Sequence, residues 1–178
     1  MVVPSGPGLA TIGTDLTYTK AVQNSDFALP DSGYMVLLVR IIKSIKIKKN
    51  SGYKFLKTFL ENEKFTIKDL FFINPSLKES ELNRKYLNSI GVPLDENYQY
   101  VSPIYNRDDI SDIKLINILN GLKKRPKYII INLGSGVQEP LGYYLKQKLK
   151  YKPGILCSGA AIAFLTGAQA TISPLIDK

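Results

Sequence analysis

The chain has 178 residues, 44% hydrophobic and 22% charged, with a formal net charge of +9 and no histidine. That length supports a single domain, residues 1–178, with a central sheet covered by helices, and that balance excludes global disorder. A lone cysteine, Cys157, and the lack of histidine exclude a disulfide framework, the usual zinc ligand sets, and Ser-His-Asp or Cys-His catalysis. Acid–base chemistry falls to a carboxylate, a lysine or a tyrosine.

No run approaches the roughly 20 apolar residues of a membrane span, and no basic segment followed by an apolar core opens the chain. The expected location is cytoplasmic. Lysines cluster at Lys43, Lys46, Lys48 and Lys49, at Lys123, Lys124, Arg125 and Lys127, and at Lys146, Lys148, Lys150 and Lys152. Nucleic acid, an anionic membrane surface or phosphate-bearing substrates would each suit such patches, and so would plain solvated faces. Aromatic residues are not interleaved with the clusters as an RNA-binding sheet would need, which disfavours nucleic acid.

In chain order, Met1–Pro4 and Phe27–Leu29 are short extended candidates. Leu70–Asn74, Tyr98–Val101, Tyr128–Asn132 and Ile155–Cys157 are apolar runs that read as buried strands. Helix-length segments lie between them at Thr14–Asn24, Gly33–Lys43, Tyr53–Asn62, Leu77–Ile90, Ile110–Leu122, Gln138–Leu149 and Ala160–Thr166. The fifth of these has Ile110, Ile113, Ile116, Leu119 and Leu122 near one face, and its expected start, Asn106-Arg107-Asp108-Asp109, offers carboxylates to the positive helix end. Strands alternating with helices predict a doubly wound, mostly parallel α/β sheet with helices on both faces, Rossmann-like in plan. Ligands in such folds bind at the carboxyl ends of the strands.

Four stretches fall at such ends. Val2–Leu9 (VVPSGPGL) reads as an irregular loop after a strand, either shaping a phosphate or sugar site or simply turning. Asp26–Gly33 (DFALPDSG) places Asp31 before a helix, as a cap or as a base facing a cleft. Tyr128–Leu141 (YIIINLGSGVQEPL) runs from a strand through Gly134 and Gly136 into a helix. There backbone N–H groups can meet a phosphate, and Gln138 can read a uracil edge, hold a phosphate or face solvent. Ile155–Gly167 (ILCSGAAIAFLTG) brings small residues, Ser158 to Ala161, into a tight turn that suits close packing or close ligand approach.

In this order the segments resemble the WecG/TagA/CpsF glycosyltransferases over most of the chain. The marks are the glycine turn Asn50-Ser51-Gly52-Tyr53 before a helix and the tyrosine-containing loop Tyr100-Val101-Ser102-Pro103-Ile104-Tyr105. To these add the Gly-x-x-x-Gln-Glu run from Gly134 to Glu139 and the Gly-Ala-Ala-x-x-Phe-Leu-x-Gly block from Gly159 to Gly167. The resemblance implies inverting, metal-independent transfer of an N-acetylhexosamine from UDP to a lipid-linked saccharide, with no cofactor. It further implies Asp31 as general base and Gln138 as a donor contact. Ser5, Gly6, Lys49, Ser102, Tyr105, Gly134, Gly136 and Gly159 are the other expected substrate-binding positions. The implied partners are the UDP-sugar donor, the acceptor and the inner membrane surface, with room for a homo-oligomer.

The chain departs from the family pattern in several places. Pro4-Ser5-Gly6 stands where Thr-x-Asn is common, Lys49 where an arginine is usual, and Ala163 where an aspartate is common. Gly136-Val137 replaces a proline-lysine pair. A basic, aromatic tail that follows the position of Pro174 in the family is expected to be missing.

Overall fold

The computed structural model describes residues 1–4, 6–107 and 109–169. Four strands, β1 (Leu70–Asn74), β2 (Gln99–Val101), β3 (Tyr128–Ile131) and β4 (Gly154–Cys157), form one all-parallel sheet in the order β2-β1-β3-β4. Every residue of β1 is buried, as expected for a strand covered on both faces. Two single-residue bridges extend the sheet beyond β4, where Val2 lies parallel to Cys157 and Ala28 parallel to Val2. The two short extended candidates are therefore contacts one residue long.

Eight α-helices flank the sheet among the described residues: α1 (Gly6–Ala10), α2 (Leu16–Gln23), α3 (Gly33–Lys43), α4 (Gly52–Asn62), α5 (Leu77–Ser89), α6 (Ile113–Gly121), α7 (Gln138–Lys148) and α8 (Ala161–Leu165). Helix α2 packs on α7, which packs on β4, while α4 and α5 both contact α8 and α5 also covers β1 and β2. The fold is a doubly wound α/β domain. Its core joins Phe71, Phe72, Ile73, Ile129, Ile130 and Ile131 of the central strands to Leu56, Leu60, Leu87, Leu115, Leu119, Leu141 and Leu145 of the helices.

Two expectations are corrected. The opening stretch after Val2 is not wholly irregular, since Gly6–Ala10 forms a helical turn and a half. Helix α6 does not begin at the 106–109 acidic stretch. Asp112 Oδ1 accepts the Leu115 N–H at 2.8 Å and sets the start at Ile113, while Asn106 and Asp109 pair with each other in a small bridge. A carboxylate that caps directly, three residues before a donor, outweighs charges placed further upstream.

The two ends of the sheet are chemically different. At the amino edge, Asp69 is fully buried, accepts the Thr66 N–H and lies 3.3 Å from both Lys124 Nζ and Lys127 Nζ. Burial alone would push its carboxyl up, but hydrogen bonds from Thr66, Lys127 and Lys124 win and bring its pKa down to about 2. At the carboxyl edge an uncharged network joins all four strands. Asn74 Oδ1 accepts from Asn83 Nδ2 at 2.8 Å and from Asn132 Nδ2 at 2.9 Å. Asn74 Nδ2 donates to Ser80 Oγ and Gln99 Oε1, and Ser158 Oγ donates to Asn132 Oδ1 at 3.0 Å.

Candidate functional site

A cleft of about 400 Å³ opens over the carboxyl ends of β3 and β4. It is walled by the Leu133–Ser135 turn, the Ser158–Ala161 turn, the start of α4, and the segment carrying Asp31 and Lys49. Four stretches distant in sequence thus meet there. Helices α4 and α7 both start on this wall, at Gly52 and Gln138, so the positive ends of two eleven-residue helices face the same space. Lys49 adds a cation, and the site suits an anion such as a phosphate.

The two glycine turns are held to each other by side chains. Gln138 is 2% exposed. Its Oε1 accepts the Gly159 N–H at 2.7 Å, and its Nε2 donates to Glu139 Oε1 at 3.2 Å. Because the Gly159 N–H can only donate, the amide oxygen must face it, and one of the two hydrogens on Nε2 then goes to Glu139. Gly159 has φ of +58° and an added Cβ would lie 3.2 Å from Gln138 Nε2, so the turn calls for glycine twice over. At Gly52 the requirement is pure proximity, since a Cβ would lie 2.6 Å from Val3 Cγ1.

Glu139, next to Gln138, is a buried carboxyl, 1% exposed. Burial pushes its carboxyl above the ordinary glutamate range, against the pull of its hydrogen bonds. It accepts the Gly136 N–H at 2.9 Å, with the Ser135 hydroxyl at 3.4 Å. Glu139 thereby fixes the turn after β3 while Gln138 fixes the turn after β4. Beneath them the Cys157 thiol donates to the Gln138 carbonyl at 3.3 Å; burial, and then the charge of Glu139, raise its pKa to about 12. Such a thiol is inert.

Of the expected site residues, Asp31, Lys49, Gly134, Gln138 and Gly159 line the one cleft. Gly136 does not line it, and an added Cβ there would lie 3.7 Å from the Arg107 guanidinium. Gly6 opens α1 with its missing side chain facing Ser32 Oγ at 4.0 Å. Ser102 and Tyr105 do not line the cleft. The Ser102 N–H donates to the Asn74 carbonyl, and Tyr105 donates its hydroxyl to Asp112 Oδ2 at 2.7 Å, as Tyr100 does at 2.9 Å. Ser5 and Pro174 lie outside the described residues.

Ser51, Tyr53 and Phe164 also line the cleft although none was an expected substrate-binding position, and so does Ser158, expected as part of a small-residue turn suited to packing or ligand approach. Tyr53 and Phe164 meet edge to face with centroids 6.4 Å apart, giving one wall an aromatic surface suited to a sugar or a base. The signal for them was the helix period, since both fall in the first turns of helices whose starts build the site. Among the described residues no three His, Cys, Asp or Glu side chains converge to hold a metal ion.

Among curated proteins none matches the chain. The model of the glycosyl transferase WecG/TagA/CpsF family matches residues 1–178, the whole length. The chain therefore belongs to the WecG/TagA/CpsF family of glycosyl transferases.

Proposed function

We propose that this glycosyltransferase moves an N-acetylhexosamine from UDP to a hydroxyl of a lipid-linked saccharide, with inversion and Asp31 as general base. The observation that carries the reading is the meeting of Asp31, Lys49, Gly134, Gln138 and Gly159 in one cleft at two helix N-termini.

In the proposed step Asp31 takes the proton from the acceptor hydroxyl. The resulting oxygen attacks the anomeric carbon, and the bond to the β-phosphate oxygen breaks with its electron pair leaving on UDP. Charge grows on the diphosphate as that bond lengthens. The Lys49 side chain in the cleft wall and the positive ends of α4 and α7 are the features that face this charge. The Tyr53–Phe164 wall offers a face for the sugar ring or the uracil. The remaining hydrogen on Gln138 Nε2 is its means of touching the donor directly.

Melting curves with and without UDP, run beside a UDP-release assay with a saccharide acceptor, test the reading. UDP raises the melting temperature of the wild type and of Asp31→Asn equally, while the variant loses about a hundredfold or more in turnover. No response to any uridine nucleotide would sink it. Binding without turnover in both proteins would instead mark a degenerate relative that holds a nucleotide sugar.

A further inference from the structure

Residues 32 to 60 contain no aspartate or glutamate but seven cations: Arg40, Lys43, Lys46, Lys48, Lys49, Lys54 and Lys57. Within them, Leu37, Ile41, Ile42, Ile45 and Ile47 are 52%, 67%, 68%, 54% and 38% exposed. Helix α3 makes at most marginal contact with the other helices and strands among the described residues. It ends at Lys43; the next residue, Ser44, has a φ of +55°, and residues 45 to 49 return irregularly to the cleft wall, where the Asn50 N–H donates to the Pro30 carbonyl at 3.0 Å. The excursion thus leaves and rejoins the domain beside Asp31 and Lys49.

Exposed aliphatic side chains alternating with cations are out of place in water and matched in only one kind of medium. The isoleucines call for hydrocarbon, and the interleaved lysines call for anions immediately above it. Nucleic acid would meet the cations but offers nothing to isoleucine, and no aromatic residue lies between Arg40 and Gly52 to stack on bases. A second copy docked on the same face would set cations against cations. We propose that α3 and the following segment, residues 37 to 48, form a surface that seats on an anionic lipid bilayer, with the isoleucines among the acyl chains and Arg40, Lys43, Lys46 and Lys48 at the headgroups.

This surface is continuous with the active cleft. A second groove lined by Lys48, Lys49, Asn50, Ser51, Lys54 and Phe55 shares Lys49 and Ser51 with the cleft wall. Seating at residues 37 to 48 would hold the cleft mouth at the headgroup layer, where a lipid-linked acceptor presents its saccharide. That consequence rests on the transferase reading, whereas the binding does not.

The test is co-sedimentation of the whole chain with vesicles of phosphatidylcholine alone or of phosphatidylcholine with phosphatidylglycerol. The chain partitions onto the anionic vesicles and not onto the neutral ones. Ile41→Ser with Ile42→Ser and Ile45→Ser, and separately Lys43→Glu with Lys46→Glu and Lys48→Glu, each lower that partition by about tenfold or more. All six positions are exposed, so both variants keep the wild-type melting temperature and its rise with UDP. Absence of binding to anionic vesicles, or unchanged binding by both variants, overturns the proposal. So does a concentration-dependent dimer abolished by the isoleucine variant, or retention on RNA that matches retention on the vesicles. Loss of the UDP response with vesicle binding intact counts only against the transferase reading.

Discussion

The Gly159 N–H donates to Gln138 Oε1 at 2.7 Å, so the first residue of α7 holds the turn after β4 as well as its own. A residue expected to contact the donor is first of all a brace between the two glycine turns. Removing it moves both walls of the cleft, beyond the loss of one contact.

Gln138→Ala therefore abolishes the rise in melting temperature with UDP and leaves the Gly159 N–H without its partner. The stability cost is about 1–3 kcal/mol, the penalty of stranding a buried polar group. Gln138→Glu keeps an acceptor for Gly159 but replaces the donor to Glu139 with a second carboxylate. It should fold less stably than Gln138→Ala above the carboxylate range, and the gap should close as the pH falls. Thermal melts in the presence and absence of UDP read both effects.

Burial raises the Glu139 pKa, so the fold prefers the protonated carboxyl. The sign follows directly: stability from this group is fully present below the ordinary glutamate value of 4.5 and is lost as the pH rises through the folded value. Glu139→Gln, which cannot ionise, loses this dependence. The melting temperature of the variant should gain on that of the wild type as the pH is raised from below 4.5 to neutrality. A constant difference across that range would mean the carboxylate ionises without penalty.

Asp69 behaves in the opposite sense. Its pKa is lowered from 3.8 to about 2 by the hydrogen bonds that outweigh burial, so its stabilising contribution is complete above 3.8 and disappears as the pH falls through about 2. Asp69→Asn should be destabilised at neutral pH by loss of the Lys124 and Lys127 pairings, and should approach the wild type in acid unfolding near pH 2.

The only thiol in the chain, Cys157, is buried with its pKa raised to about 12. A thiol reagent at neutral pH should label the native protein slowly and the urea-unfolded protein fast, with one equivalent incorporated. Labelling rate against urea then reports the opening of β4 and α7 directly, because Cys157 ends the one and bonds the first residue of the other.

Much of the fold was legible because its strands are unmixed apolar runs. LFFIN and YIIIN carry their burial in their composition, and α3 falls where the sequence places it. The start of α6 was misread because four acidic or amide residues compete upstream, and only tertiary contact with Tyr100 and Tyr105 selects Asp112 among them. The helical turn at Gly6–Ala10 hides behind prolines and glycines that usually break helices. Within the candidate site, the glycine turns and Gln138 could be read from local spacing. The meeting of Asp31 and Gly159 in one cleft could not, since more than a hundred residues separate them and no local pattern encodes it. Tyr105 was expected in the site from the family resemblance, yet its hydroxyl is committed to Asp112.

The amide network of Asn74, Asn83 and Asn132 with Ser158 lies directly under the turns that frame the cleft. None of its members can gain or lose a proton between acid and base, so the platform keeps one electrostatic character at every pH the protein survives. Any acid or alkaline limb in donor affinity must then originate in the walls or in the donor's own phosphate and base, and a titration of binding needs no correction for what lies below.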